Sequence, residues 1–310
     1  NLLGKKTIFG AMPDWNPAEM IGIKPRPLSL SLYKYLITDK TWAYQRDNYG
    51  YRNLRSFPLM ISFLGLPYID VRVCFNSFIP KDLNDELSSR LVNYYLKCLE
   101  TNRELHDKVE FEIVFSCYFL NAEDKLKRLV KEGFSIDEIK DIKDALLKLT
   151  NNIMSSENGI FKEETEKIEH LKLRQNIVLS SSLNPLEKIY WLLEDCCRYG
   201  TLPFAGLARA AFISVQILQS FVGRGIISIE DFNHFITSLN TIARQMSLDT
   251  FSITREEFLS KYGHLRPGTY DILSDRYDEM YDIYFKKEVR QQKEQPSFEF
   301  KEKMLNELDK

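Results

Sequence analysis

Hydrophobic positions along this chain follow two periods, and the change from one to the other falls near Leu120. Before it, prolines at 13, 17, 25, 27, 58, 67 and 80 cut the chain into short elements. Leu28–Thr38 follows Pro27 with an apolar face and predicts a short helix. Ile69–Val73 alternates apolar and polar residues, the period of a half-buried strand. Lys108–Phe115 alternates likewise, with Val109, Phe111 and Ile113 on one face. The expectation is two strands that pair, separated by a helix over Asp82–Glu100 whose Leu83, Leu87, Leu91 and Tyr94 lie near helical spacing.

After Leu120 the period is helical. Ala122–Glu132 is short and amphipathic. Ser135-Ile-Asp-Glu138 is a capping box, in which a hydroxyl and a carboxylate satisfy each other's backbone N–H groups, and it leads into Ile139, Ile142, Leu146 and Leu149. Ser155–Gly159 reads as a turn, Phe161–Leu179 as a charged helix, and Ser180–Pro185 as a break. Leu186–Tyr199 and Phe204–Val222 follow, joined through Tyr199–Pro203. The second is apolar almost all round and is expected to be buried. A helix from Ser228 runs to about Ser247, and Thr254-Arg-Glu-Glu257 opens a short one that stops at Gly263. Asp275–Gln292 predicts a last charged helix, and Ser297–Lys310 a polar tail or terminal helix. The fold class is α+β and predominantly α-helical, with a small antiparallel sheet from strands of the N-terminal half. Residues 1–120 form a mixed part, 121–296 the helical part of the same domain, and 297–310 the tail.

Charge is nearly balanced over the 310 residues, with 42 Lys+Arg against 44 Asp+Glu, which argues against a strongly basic nucleic-acid binder. No apolar run approaches the ~20 residues that span a bilayer, so no membrane association is expected. Five cysteines without a C-x-x-C predict reduced thiols in a cytoplasmic protein. A start without Met, and without a signal-peptide hydrophobic region, suggests a processed, truncated or excised segment.

The chain has no G-x-x-x-x-G-K-[ST] loop, no G-x-G-x-x-G, no G-x-S-x-G and no H-E-x-x-H. Four stretches nonetheless hold polar residues where no structural rule asks for them. Asp14, Asn16 and Glu19 either cap a helix at Pro17 or face a polar ligand. Asp70, Arg72, Cys74 and Asn76 share one face of the expected strand, because strand side chains repeat every two residues. Arg72 there offers a fork for carboxylate or phosphate, or simply pairs with Asp70. Lys108, Glu110 and Glu112 form a charged row, solvated or beside the first. His264 and Arg266, with Thr269, Tyr270 and Asp271, ride on a loop set by Gly263, Pro267 and Gly268, either as site groups or as the cationic end of a helix.

Gly10-Ala-Met-Pro-Asp-Trp-Asn-Pro-Ala-Glu-Met-Ile-Gly22, Pro25-Arg-Pro-Leu28, Tyr68-Ile-Asp-Val-Arg-Val-Cys-Phe-Asn-Ser-Phe-Ile-Pro80 and His106-Asp-Lys-Val-Glu-Phe-Glu112 resemble the central region of PEP-synthase-like phosphotransferases, closest to the bacterial L-glutamine kinase type. Lys261-Tyr-Gly-His-Leu-Arg-Pro-Gly-Thr-Tyr-Asp271 also resembles a segment of rifampicin phosphotransferase-like enzymes. The resemblance spans residues 9 to 280. It implies a three-part enzyme: an ATP-grasp domain that binds ATP and Mg²⁺, a central helical domain that binds the acceptor, and a swivelling domain whose histidine carries the phosphoryl group. This chain corresponds to the central part, with no cofactor or metal of its own. Its partners would be a small-molecule acceptor and the other two domains of one parent polypeptide. No histidine here has the phosphohistidine context. The resemblance implies Asp14, Asn16, Glu19, Asp70, Arg72, Asn76 and Glu110 as acceptor-binding residues and His264, Arg266 and Asp271 as catalytic ones. L-Glutamine is the preferred acceptor. A pyruvate-utilising enzyme and a non-catalytic helical interaction module are the alternatives. A free-standing enzyme would need a nucleophile–base pair that the sequence does not offer.

Overall fold

A computed structural model describes residues 1–267, 274–285 and 298–299. The chain divides into two compact units, Asn1–Ser220 and Phe221–Lys310. The architecture is α+β and predominantly helical, with one three-stranded antiparallel sheet in the N-terminal half, as the sequence predicts.

The sheet has the order β1 (Phe9–Gly10), β3 (Leu66–Asp70), β2 (Met60–Phe63). β2 and β3 pair from Met60↔Ile69 to Phe63↔Leu66. Their two-residue loop, Leu64-Gly65, has positive φ at both positions (53° and 83°), as the right-handed twist of a tight hairpin requires. The partner expected for this strand, Lys108–Phe115, is not a strand: Val109–Ile113 is a π turn. Val109 and Ile113 are apolar at i and i+4 as well as at alternate positions, so a five-residue pattern fits either period. Burial decides it. Both side chains enter the core, while Arg128 donates to the carbonyls of Glu112 (3.1 Å) and Ile113 (2.8 Å) and closes the turn.

The strand also stops earlier than its alternation suggests. Asp70 Oδ1 accepts from the backbone N–H of Arg72 (3.0 Å) and Val73 (3.2 Å), an N-cap that starts a helix at Val71.

In chain order the helices of the first unit are α1 (Pro17–Met20), α2 (Pro27–Tyr33), α3 (Thr41–Asn48), α4 (Val71–Asn76), α5 (Asp85–Thr101), α6 (Ala122–Leu126), α7 (Ile136–Met154), α8 (Ile160–Ser180), α9 (Pro185–Asp195) and all but the last three residues of α10 (Leu202–Gly223). α5 packs on α4, and the apolar stripes of α5 and α7 enter one core with Trp42, Phe75, Phe78 and Tyr95. A second cluster, with Tyr49, Tyr51, Cys117 and Ile213, joins α3 and α7 to α10. The capping box at Ser135 forms as predicted: its hydroxyl accepts from Glu138 N (3.1 Å), and the Glu138 carboxylate accepts from Ser135 N (2.7 Å). Asn184 and Glu187 make another at the start of α9.

The two helices expected to join through Tyr199–Pro203 are continuous there. A π turn, Cys196–Thr201, carries α9 into α10, and Pro203, which has no N–H to give the preceding turn, falls directly after it. Pro185–Gly223 is thus one helical run, long and apolar enough to cross a bilayer by length and composition. α10 is also not buried all round. Phe204 and Phe212 face outward, while Arg209, Gln216 and Ser220 point in. Gly206 meets α3: a Cβ there would collide with the Tyr49 hydroxyl and lie 2.8 Å from its Cζ. Gly206→Ala is expected to cost about 1–2 kcal/mol in thermal or urea unfolding, overpacking winning over the helix propensity gained. An unchanged midpoint would mean that the Tyr49 ring can move aside.

The second unit holds α11 (Ile229–Ser238), α12 (Ile242–Ser252), α13 (Arg255–Tyr262) and α14 (Tyr281–Tyr284). One helix was expected from Ser228 to Ser247; Leu239 and Thr241 instead adopt extended backbone and split it. The Thr254–Glu257 box opens α13 as predicted. Of the expected helix Asp275–Gln292, only Tyr281–Tyr284 is helical among the described residues; Lys286–Gln292 and most of the predicted tail lie outside them.

Asp249 ties α12 to α13. It accepts from Lys261 Nζ (2.7 Å), Tyr262 Oη (2.7 Å) and Gln245 Nε2 (2.6 Å). These donors, Lys261 first, hold its carboxyl at about 2, below the ordinary 3.8. A depressed carboxyl stabilises the folded state above the unfolded-state value and loses that contribution as pH falls through the folded one. The stability difference between wild type and Asp249→Asn, followed by hydrogen exchange of α12 and α13, is therefore expected to be full above pH 4 and to vanish toward pH 2. A difference that persists unchanged at pH 2 would contradict this.

Candidate functional site

The segment before α1 is strained. Asp14, Trp15 and Asn16 have φ of 52°, 53° and 33°, three successive non-glycine residues in the left-handed region, at a cost of about 1 kcal/mol or more each. The capping role considered for this stretch is not what holds it, since Asn16 makes no side-chain cap bond. Instead Asn16 Nδ2 donates to Glu19 Oε2 (3.1 Å), the Tyr33 hydroxyl donates to the Trp15 carbonyl, and Asp14 reaches into the protein.

There Asp14 meets Arg46 of α3. Arg46 Nη2 donates to Asp14 Oδ2 (3.0 Å) and Oδ1 (3.2 Å), and the Arg46 side chain is only 3% exposed. The Cys74 thiol of α4 points at the same carboxylate (Sγ–Oδ2 3.8 Å). Burial, then the Asp14 charge, pushes that thiol well above its ordinary pKa, so it is a neutral donor and not a nucleophile. A second buried pair lies alongside: Arg209 of α10, also 3% exposed, with Glu110 of the π turn. Both guanidinium groups lie over the Phe78 ring, Arg46 Cζ at 4.7 Å and Arg209 Cζ at 4.9 Å from its centroid. Burial, then the neighbouring Arg46 charge, lowers the Arg209 pKa to about 10, which still leaves it protonated at neutral pH. The helical turn that replaced the expected strand is what aims Glu110 at α10, with Phe111 edge-on to Phe212 beside it (5.5 Å).

Asp14, Cys74 and Glu110, far apart in sequence, therefore meet in one buried polar cluster. The other candidates do not join it. Asp70 caps α4 and accepts from the Thr7 hydroxyl (2.5 Å). Arg72 donates to the carbonyls of Leu3 (2.9 Å) and Leu2 (2.7 Å). Buried Asn76 accepts from Leu3 N (3.0 Å) and donates to the carbonyls of Leu3 (2.9 Å) and Arg72 (2.8 Å). These three pin the N-terminal segment to α4. Asn16 and Glu19 remain near the surface, half-buried and exposed. In the second unit, His264 is exposed after α13 and Arg266 Nε donates to the Ser274 carbonyl (2.7 Å). Asp271 lies outside the described residues.

The sequence reading missed both arginines. Arg209 is the lone charge within the apolar run Leu202–Val222, and that isolation was the available signal. Nothing around Arg46 marks it. Beyond Phe111 the same seam opens into a cleft of about 370 Å³, where Lys108, Glu112, Asn121, Lys125 and Gln216 are among the lining groups. Comparison with family models, curated proteins and solved structures finds no match to this chain.

Proposed function

We propose that this chain is the acceptor-binding domain of an ATP-dependent phosphotransferase, with the side-chain amide of L-glutamine as the preferred phosphoryl acceptor. One observation carries the reading: three of the stretches that resemble the PEP-synthase-like enzymes contribute to one buried polar cluster, Asp14 from the first, Cys74 and Phe78 from the second, and Glu110 from the third. A purely structural core has no need to bury four charges, because an apolar core of equal volume is as stable or more so.

In this reading ATP and Mg²⁺ belong to a separate ATP-grasp domain, and the phosphoryl group arrives on a histidine of a swivelling domain. The amide nitrogen attacks phosphorus, the histidine N–P bond breaks with its electron pair left on the imidazole, and one amide proton passes to a base. Glu110, His264 and Asp271 are the candidates for that base. Placement and charge neutralisation are what phosphoryl transfer asks of the protein.

A thermal-shift panel of L-glutamine, L-asparagine, L-glutamate and pyruvate tests this. A ligand at 100 times its Kd adds about 2.7 kcal/mol, enough to see. L-Glutamine is expected to raise the midpoint. A response to pyruvate alone would move the reading to a pyruvate-utilising enzyme. A flat panel would sink the acceptor reading in favour of a helical interaction module.

A further inference from the structure

We infer that Arg46 and Arg209, on either side of the cluster at Phe78, form a binding site for the carboxylate of a small metabolite. The inference rests on reading this cluster as the acceptor site, and it adds the group that is held and the residues that hold it.

Unmet hydrogen bonding points to a ligand here. Among the described residues, Nε of Arg46, Nε of Arg209 and Nε2 of Gln45 are buried donors without a hydrogen-bond partner. Gln45 is joined to the same group, its Oε1 accepting from Arg46 Nη1 (3.3 Å). Buried donors are almost always paired, and each left unmet costs about 1–3 kcal/mol. Three around one pair of guanidiniums indicate an acceptor that arrives with a ligand.

The free atoms also define its shape. Asp14 engages Arg46 through Nη2, and Glu110 engages Arg209 through Nη1. Each arginine keeps its Nε–H without an acceptor, and a planar carboxylate can take one oxygen to each of the two.

Charge sets the valence. Two arginines and two carboxylates already balance, so a monoanion adds one buried negative charge where a phosphate dianion adds two, and the monoanion is the less costly guest. The cluster reaches the surface at Asp14 and Glu110, whose side chains keep 10% and 12% exposure.

Titration calorimetry on the whole chain tests the inference with L-glutamine, L-glutaminamide, pyruvate and inorganic phosphate. Glutaminamide keeps every feature of glutamine except the α-carboxylate, so this arm needs no variant and is indifferent to folding. The expected result is binding of glutamine or pyruvate, at least tenfold weaker binding of glutaminamide and phosphate, and at least tenfold loss in Arg46→Lys and Arg209→Lys. Those variants keep the charge and lose the fork; their fold is checked by circular dichroism. Lys125→Ala, in the neighbouring cleft, is expected to bind normally. Equal binding of glutaminamide, or normal binding by both lysine variants, overturns the inference while leaving the acceptor reading intact. So does a loss confined to Lys125→Ala. Binding of pyruvate alone, abolished in the lysine variants, removes glutamine from the acceptor reading and keeps this one. No binding by any probe overturns both.

Discussion

Asp14→Ala is expected to lower the stability of the first unit by about 3–5 kcal/mol, the cost of leaving a buried charge without its partner. The Arg46 side chain is 3% exposed and that of its Asp14 partner 10%. Removing the carboxylate takes two hydrogen bonds from the guanidinium and one acceptor from the Cys74 thiol. Alanine also tolerates the left-handed backbone at this position less well than aspartate or asparagine. Asp14→Asn separates the two effects. It keeps the backbone preference and one acceptor oxygen and loses only the charge, so it should recover part of the loss. Urea unfolding followed by tryptophan fluorescence measures both, because Trp15, Trp42 and Trp191 all lie in the first unit. A loss under ~1 kcal/mol for alanine would show that Arg46 finds water or another acceptor, and the cluster would then not be a desolvated site.

Phe78→Ala is the second large effect. The ring is fully buried and is the surface over which both arginines lie. Cavity formation alone costs about 3–5 kcal/mol for a buried Phe. Each desolvated cation–π contact adds on the order of 1–2 kcal/mol. Phe78→Leu keeps most of the volume and loses the π face, so its expected cost is the cation–π part, about 2 kcal/mol. If leucine were neutral, the ring would be a packing element only, and the arginines would be held by Asp14, Glu110 and Gln45.

The helical scaffold was legible because its signals are local. Ser135, Asn184 and Thr254 each precede a glutamate by three residues, and each starts a helix with a reciprocal cap. Alternation over five residues was not enough at Val109–Ile113, where the outcome depended on α5 and on Arg128 reaching back to the turn. The hairpin partner of β3 was hidden because its loop is Leu64-Gly65; a bulky residue at positive φ carries none of the Asn-Gly or Asp-Gly chemistry that announces such turns. At the site, Asp14 and Glu110 stood out as polar residues without a local reason. Their partners lie 32 and 99 positions away, distances that no local pattern encodes. The strand reading of Asp70, Arg72 and Asn76 failed for a different reason. Their chemistry is real, but the cap at Asp70 turns the chain into α4 and hands that chemistry to the backbone of Leu2 and Leu3.

The π turn Cys196–Thr201 amounts to one residue more than an α-helix would hold along the run from Pro185 to Gly223. It packs on a second π turn, Lys34–Thr38, with the Cys197 thiol directed at the Tyr35 carbonyl (3.8 Å). Loss of a single codon there would restore regular winding and rotate α10 against α9 by about 100°. Arg209 would swing off Phe78 and Glu110 while the helix itself stayed whole. The reading frame of this one helix thus works as a phase setting for the buried charges, and a length change of one residue in it would matter more than most substitutions along its exposed face.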